Sequence, residues 1–289
     1  MRLGSISFIN SLPVDLGILS HEVPCDAEIV RGTPSRLNLK IEQGALEVSP
    51  VSAFWYAQHQ SSLVLLPDFS ISSKSGVQSV LLFSKKPLSE LKGSRIALNW
   101  KGRTTPALLE VICRLRYGFF PEFLPMIEAP LDLVLKAADA SLLIGDEALL
   151  ERDGMQDDSL FVTDLAQEWK EWTGLPIVFA VWAVRRAFLQ RQSAKVTAIY
   201  KSLVQSRNWG ATHPERVIDE AERLSELPPK LLHSYFSGLS YDFGEDLQKG
   251  FTLFLNYAAE CELLDNVRPL EFIDGQKTAS SISVLRGHS

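Results

Sequence analysis

The chain of 289 residues is predicted to be an α/β protein of two lobes with a cleft between them. Three observations lead there. Short β-type runs alternate with helical periodicities up to about residue 186, the pattern of α/β folds with mainly parallel sheets. Two apolar runs, Val80–Phe83 and Ile177–Val184, flank a block that reads as self-contained. That order is expected when one lobe is inserted into another and the chain crosses twice. From about Ala187 onward the pattern turns almost wholly helical. One lobe is therefore placed at 1–84 and 183–289, carrying the C-terminal helices, and the inserted lobe at 85–182. A ligand would bind where strand ends and helix N-termini converge on the cleft.

The elements follow in order. Leu3–Ile9 reads as a strand and Asn10–Pro13 as a turn. Glu28–Arg31 is a second strand. Thr33-Pro34 opens an amphipathic helix through Ile41, with Pro in the first turn where its missing N–H costs nothing, and Gly44 ends it. Leu46–Val51, Val80–Phe83 and Arg95–Leu98 are further strands, the last two separated by polar Ser84–Gly93. Over Thr104–Tyr117, Leu108, Ile112 and Leu115 share one face of a helix that Gly118 caps. Ser141–Ile144 is a strand running straight into Gly145-Asp146-Glu147 and another helix.

Asp164–Arg186 holds three of the six tryptophans. Trp169 and Trp172 stand three apart, on one helix face. Thr173-Gly174-Leu175-Pro176 breaks that helix, and Ile177–Val184 reads as a buried strand. The segment is expected to bring Trp172 and the turn to the cleft rim. Phe251–Leu264 is the clearest of the late helices.

Composition excludes several classes. A net charge of −6 argues against a nucleic-acid partner, which needs a basic face. Cys25, Cys113 and Cys261 are far apart with no CxxC pair, as for structural thiols in a reducing compartment. The N-terminus shows no signal-peptide pattern, and no apolar run reaches the roughly 18 residues of a membrane span; a cytoplasmic location is expected. The five histidines show no HxxxH or HExxH spacing, so no metal site is expected. Neither a nucleophile elbow, a P-loop nor a dinucleotide-binding glycine fingerprint is present, so no cofactor is expected.

What the chain does offer is small hydroxyl and amide residues at the ends of its strands. Asn10 and Ser11 follow the first strand; Ser49 and Ser52 follow the third. Ser72, Ser73, Ser75 and Ser79 crowd the stretch before Val80. Thr104 and Thr105 start a helix behind Lys101-Gly102-Arg103, where free N–H groups and the positive dipole end favour an anion. Singly, each is a common cap or turn residue. Together, loops of this kind facing one cleft would make a donor-rich pocket for a small carboxylate. Asp146 either N-caps the helix at Glu147–Leu150 or projects into the cleft to hold a substrate hydroxyl.

These residues fall in motifs. W-K-E-W-T-G-L-P-I-V-F-A-V-W (Trp169–Trp182) resembles the signature of the menaquinone-pathway chorismate dehydratases, the MqnA family. In the same order along the chain, F-I-N-S-L-P (Phe8–Pro13), S-P-V-S (Ser49–Ser52), G-V-Q-S-V-L-L-F-S (Gly76–Ser84), R-T-T (Arg103–Thr105) and L-I-G-D-E-A-L (Leu143–Leu149) are similar to that family's motifs. The resemblance spans roughly 3 to 260. It implies a fold like type II periplasmic solute-binding proteins, with a central cleft. It implies removal of water from chorismate, giving 3-[(1-carboxyvinyl)oxy]benzoate on the futalosine route to menaquinone. In the family the substrate's own side-chain carboxylate is the proposed base. By resemblance, Asn10 and Ser79 orient the substrate and its leaving hydroxyl. Ser52, Thr104 and Thr105 hold carboxylates, with Ser73 and Asp146 also on the substrate, and Trp172 walls the pocket. Two positions depart from the pattern: Lys74-Ser75-Gly76-Val77 stands where the family has D-G-P-V, and Trp55 where it has an acid. The alternatives are a solute-binding protein for a small cyclic or aromatic carboxylate, or the later 1,4-dihydroxy-6-naphthoate synthase, whose S-P-C-P-N-D-type N-terminal motif is absent. The oligomeric state is open.

Overall fold

Strands and helices follow one another closely in the computed structural model, which describes residues 1–98, 102–125, 129–155 and 159–273. Arg2–Ile6 (β1) leads through a tight turn at Ile9–Ser11 into Leu12–Leu19 (α1). Glu28–Gly32 (β2), Pro34–Glu42 (α2), Val48–Ser52 (β3), Ala53–Gln58 (α3) and Leu63–Ser73 (β4) complete a first run. Val80–Ser84 (β5), Arg95–Leu98 (β6) and Thr104–Val111 (α4) begin a second, with a π-helical turn at Ile112–Arg116 extending α4. Glu122–Pro125 (β7), Leu131–Ala137 (α5), Ala140–Ile144 (β8), Asp146–Gly154 (α6), Phe161–Asp164 (β9) and Leu165–Thr173 (α7) finish it. Ile177–Arg185 (β10) is followed by Arg186–Thr212 (α8), Pro214–Ser225 (α9), Pro229–Gly238 (α10) and Glu245–Glu260 (α11).

Two five-stranded sheets result, ordered β2-β1-β3-β10-β4 and β7-β6-β8-β5-β9. They are built alike. Each has three parallel strands and a fourth that runs antiparallel to both of its neighbours, β10 in the first and β5 in the second. The sheets are therefore mixed where mainly parallel ones were expected. The inner strands β3, β5 and β10 are buried nearly end to end, which gives apolar runs rather than alternation, while the edge strands β2, β7 and β9 are largely half-buried or exposed.

The pairing assigns the two apolar runs to opposite sheets. Val80–Ser84 pairs with β8 and β9 in the second sheet, and Ile177–Arg185 with β3 and β4 in the first. The chain passes between sheets over 74–79 and 174–176. An apolar run reports that a strand is buried; it does not report which sheet buries it. Residues 274–289 of the expected first lobe lie outside the described residues.

Strand β4 was not anticipated. It runs 11 residues and includes Ser72 and Ser73, which the sequence placed in a loop. Its serines are satisfied by a later segment: the Ser72 hydroxyl donates to the Ser240 carbonyl at 3.0 Å, and the Ser70 hydroxyl to that of Asp242. Backbone bonds between Ser72 and Ser240 add to the seam.

The tryptophan-rich helix packs outward from the cleft. Trp169 is fully buried, its indole N–H donating to the Pro176 carbonyl at 3.2 Å. Trp172 stacks on Tyr257 of α11 with ring centroids 5.1 Å apart and meets Trp169 edge-on. Gly250 lets α11 approach the turn, since a Cβ there would lie 2.1 Å from the Pro176 carbonyl oxygen.

Candidate functional site

Where the two sheets' loops meet, a cavity of about 250 Å³ opens. Asn10, Ser52, Ile71 and Phe179 come from the first lobe; Ser79, Thr105, Ile144 and Asp146 come from the second; Tyr235 reaches in from α10. Ring-sized apolar walls (Ile6, Phe8, Val77, Phe179, Leu239) enclose a few polar groups, the usual make-up of a small-molecule site.

Asn10 sits on the turn after β1. That turn is tied back by the Ser11 hydroxyl, which donates to the Ile6 carbonyl at 3.0 Å. The side-chain oxygen of Asn10 is buried and has no hydrogen-bond partner. A buried acceptor left unpaired costs about 1–3 kcal/mol, so it is poised for a donor from a ligand. Beneath it, Asp15 is wholly buried; its carboxylate accepts from the Ser5 hydroxyl at 2.7 Å. Burial pushes its pKa up to about 6, against the hydrogen bonds of Ser5 and Ser11.

Ser52 ends β3. The Asn38 side-chain amide donates to its hydroxyl at 3.2 Å, leaving the Ser52 hydrogen to be aimed into the cavity. Thr104 behaves differently. Its hydroxyl accepts from the Phe54 N–H at 3.1 Å and donates to the Phe179 carbonyl at 3.3 Å. It lines the cavity, but that hydroxyl stitches α4 to the first lobe. Thr105 lines the cavity beside it, and Arg103 reaches Gln58 at 3.5 Å. Lys101 lies outside the described residues.

Ser79 is held by a loop whose geometry Asp164 sets. One Asp164 oxygen accepts from the Val77 and Gln78 N–H groups at 2.8 and 2.7 Å. The other caps α7 by accepting from Ala166 and Gln167. Gly76 fits between this carboxylate and Gly238 of α10, because a Cβ on Gly76 would lie 3.0 Å from Asp164 Oδ2. The Lys74–Val77 departure from the family motif therefore has a defined backbone path. The Ser79 carbonyl then accepts from the Gly145 N–H at 2.8 Å, bringing the Gly145-Asp146 turn alongside. Gly145 takes φ +69°, which favours glycine. Asp146 is the first residue of α6 and also lines the cavity, with Gly145 in the capping position; burial alone raises its pKa.

A model of a family described as "Menaquinone biosynthesis" matches residues 1–260. The chain belongs to this family. A chorismate dehydratase of Thermus thermophilus is 32% identical over 239 residues, covering 78% of this chain and 84% of the relative. A 1,4-dihydroxy-6-naphtoate synthase of the same organism is 27% identical over 261 residues, covering 86% and 90%. A second chorismate dehydratase, from Campylobacter jejuni, is 26% identical over 200 residues, covering 68% and 73%. Among solved structures, a protein from Archaeoglobus fulgidus superposes with a TM-score of 0.73 at 20% identity, covering 91% of this chain and 98% of that one. The periplasmic aliphatic sulphonate binding protein of Escherichia coli gives 0.66 at 12%, covering 99% and 97%. The fold is that of periplasmic binding proteins, as the resemblance implied, and the chain is an enzyme of menaquinone biosynthesis.

In this menaquinone biosynthesis protein, six of the eight residues singled out from the sequence line one cavity: Asn10, Ser52, Ser79, Thr104, Thr105 and Asp146. Ser73 does not line it. Its hydroxyl bonds the Ser75 and Gly76 carbonyls at 3.0 and 3.2 Å, shaping the loop that carries Ser79. Trp172 does not line it either, because the i,i+3 face it shares with Trp169 is claimed by α11. Sequence reasoning missed Tyr235, Asn38 and Asp164. Asp164 alone had a local signal, an N-cap Asp directly before the first helical residue, Leu165. Among the described residues no group of three or more His, Cys, Asp or Glu is placed to hold a metal, and no helix is long and apolar enough to cross a membrane.

Proposed function

We propose that the protein is a chorismate dehydratase, a hydro-lyase converting chorismate to 3-[(1-carboxyvinyl)oxy]benzoate and water. The observation that carries this reading is the buried, unpartnered Asn10 oxygen sharing one cavity with Ser52, Ser79, Thr105 and Asp146. The dehydratase relative at 32% identity supports it from outside. Chorismate is a dianion carrying a ring hydroxyl. Breaking the ring C–O bond and the neighbouring ring C–H bond makes the ring aromatic, the proton leaving to a base and the oxygen leaving as water.

With that driving force, the protein's task is to fix one conformer and support the departing oxygen. Positioning of this kind can supply roughly 7–11 kcal/mol. The apolar walls take the ring. The Asn10 oxygen accepts a hydrogen bond from the substrate, and Ser79 donates to the leaving hydroxyl. Ser52, Thr105 and the N–H groups opening α4 receive carboxylates, with Arg103 adding charge. Asp146, whose pKa burial raises, accepts a hydrogen bond from a substrate hydroxyl. The substrate's side-chain carboxylate serves as the base.

Incubation with chorismate, followed by absorbance and mass, tests the reading: an aromatic product lighter than chorismate by one water is expected. Chorismate that binds and persists would instead mark a solute-binding protein. Asn10→Ala and Ser79→Ala should each lower kcat about 100-fold or more, the scale of removing one preorganised contact to a developing charge. Near-normal turnover in both would remove their assigned roles.

A further inference from the structure

We infer that Asn38 is a positioning residue of the site: its side-chain amide holds the Ser52 oxygen and makes the Ser52 hydroxyl a donor to a substrate carboxylate. The inference rests on the carboxylate role proposed for Ser52 and adds a residue outside the motifs that carry the family resemblance.

Ser52 stands in the N-cap position of α3, where a serine oxygen ordinarily accepts from an N–H of the first helical turn. It makes no such bond. The Phe54 N–H of that turn goes to the Thr104 hydroxyl at 3.1 Å, so a residue of the other lobe caps α3 in its place. The Ser52 oxygen instead accepts from Asn38 Nδ2 at 3.2 Å, and both side chains are buried. Asn38 does not line the cavity. It lines a neighbouring hollow, whereas Ser52 lines both. An effect of Asn38 on a ligand in the cavity therefore passes through Ser52.

Nothing else about the position calls for asparagine. Asn38 lies within α2 on the buried face that holds Leu37 and Ile41, where asparagine is a poor helix former and a leucine would pack. Its Oδ1 is buried with no hydrogen-bond partner, although buried polar groups are normally satisfied. Residues that break local rules in this way concentrate at functional sites.

What the amide supplies is a fixed Ser52. A serine hydroxyl has one hydrogen and two lone pairs. With Asn38 on a lone pair, the hydrogen stays free for the cavity. A hydroxyl that accepts one hydrogen bond also donates its own hydrogen more strongly, since bonds in a chain polarise one another. The group that meets Ser52 is thereby selected as an acceptor. The order is Asn38 N–H to Ser52 Oγ, then Ser52 O–H to the carboxylate, with no proton transferred.

The test compares wild type, Asn38→Leu, Ser52→Ala and the double variant by calorimetric titration. The ligands are 3-[(1-carboxyvinyl)oxy]benzoate and two monocarboxylates, 2-phenoxyacrylate and 3-ethoxybenzoate, which each keep one of its carboxylates. Asn38→Leu should weaken binding of the dicarboxylate about three- to fivefold, the share of one polarised hydrogen bond. Of the monocarboxylates, only the one whose carboxylate meets Ser52 should lose affinity. Asn38→Ala should give the same pattern. The double variant should bind like Ser52→Ala alone, because Asn38 acts only through Ser52. Unchanged dicarboxylate binding in Asn38→Leu overturns the assignment. So does a further loss in the double variant, or an equal loss for both monocarboxylates, the mark of a packing role. A wild-type protein that binds none of the three overturns it as well. If wild type shows the expected pattern yet leaves chorismate intact, the dehydratase reading falls and the Asn38 assignment stands.

Discussion

Asp15 shows how much one buried group can change without touching ligand. It lies under the Asn10 turn, bonded to Ser5 and wholly enclosed, with a pKa raised from 3.8 to about 6. Arg31 acts on it weakly from β2. Below pH 4 the carboxyl is protonated in both folded and unfolded chains, so no penalty exists. Between pH 4 and 6 the unfolded chain ionises first and stability falls. Above pH 6 both are ionised and a constant penalty of about 3 kcal/mol remains, at 1.36 kcal/mol per unit. Asp15→Asn removes the titration. Denaturant unfolding should find the variant more stable than wild type at pH 8 by up to that amount, and no better than wild type at pH 4. An equal difference at both values would show that Asp15 does not titrate in this range. The same scale contains the clearest functional signal, the unpaired Asn10 oxygen. A sequence can present Asn10 after a strand; burial without a partner is decided by the residues that close over it.

At the scale of elements, the crossing loop 74–79 and helix α7 are one unit joined by Asp164. Four backbone N–H groups converge on its carboxylate. Hydrogen bonds to a charged group are worth about 1.5–3 kcal/mol each before sharing. Asp164→Ala should therefore destabilise the protein by about 3 kcal/mol and free the loop that carries Ser79. A chemical melt would register the first effect and proteolysis between 74 and 79 the second. A variant with wild-type stability would mean that solvent replaces the carboxylate at no cost. The elements that were legible beforehand are those with strong local marks: α2 behind Thr33-Pro34, β6 at Arg95–Leu98, and α7 ended by Thr173-Gly174. Strand β4 was not, because its serines read as loop until Ser240 and Asp242 cover them. The three-residue spacing of Trp169 and Trp172 identified a helix face correctly. It carried no information on whether that face meets the cleft or α11.

For the whole molecule, the two similar sheets place the cavity so that each contributes a wall. Ser52 belongs to the first lobe and Thr105 to the second. A ligand bridging the lobes must depend on both. Ser52→Ala and Thr105→Val should each weaken binding of the aromatic product about three- to tenfold, one neutral hydrogen bond apiece. Calorimetric titration that shows only one of them mattering would confine the ligand to a single lobe. Saturating product, at about 100 times its Kd, should add about 2.7 kcal/mol to stability, visible as a raised melting temperature.

The sequence alone determined the lobed α/β class, the menaquinone-pathway resemblance and the small hydroxyl and amide residues at strand ends. All of these are written in local patterns: runs, breakers and short motifs whose spacing does not depend on distant partners. Tertiary structure alone decided which strands join which sheet, why Trp172 and Ser73 leave the cleft, and why Tyr235 enters it. Those outcomes turn on contacts across large chain separations, such as Ser72 with Ser240 or Ser70 with Asp242, and burial there is set by whichever element arrives to cover the site.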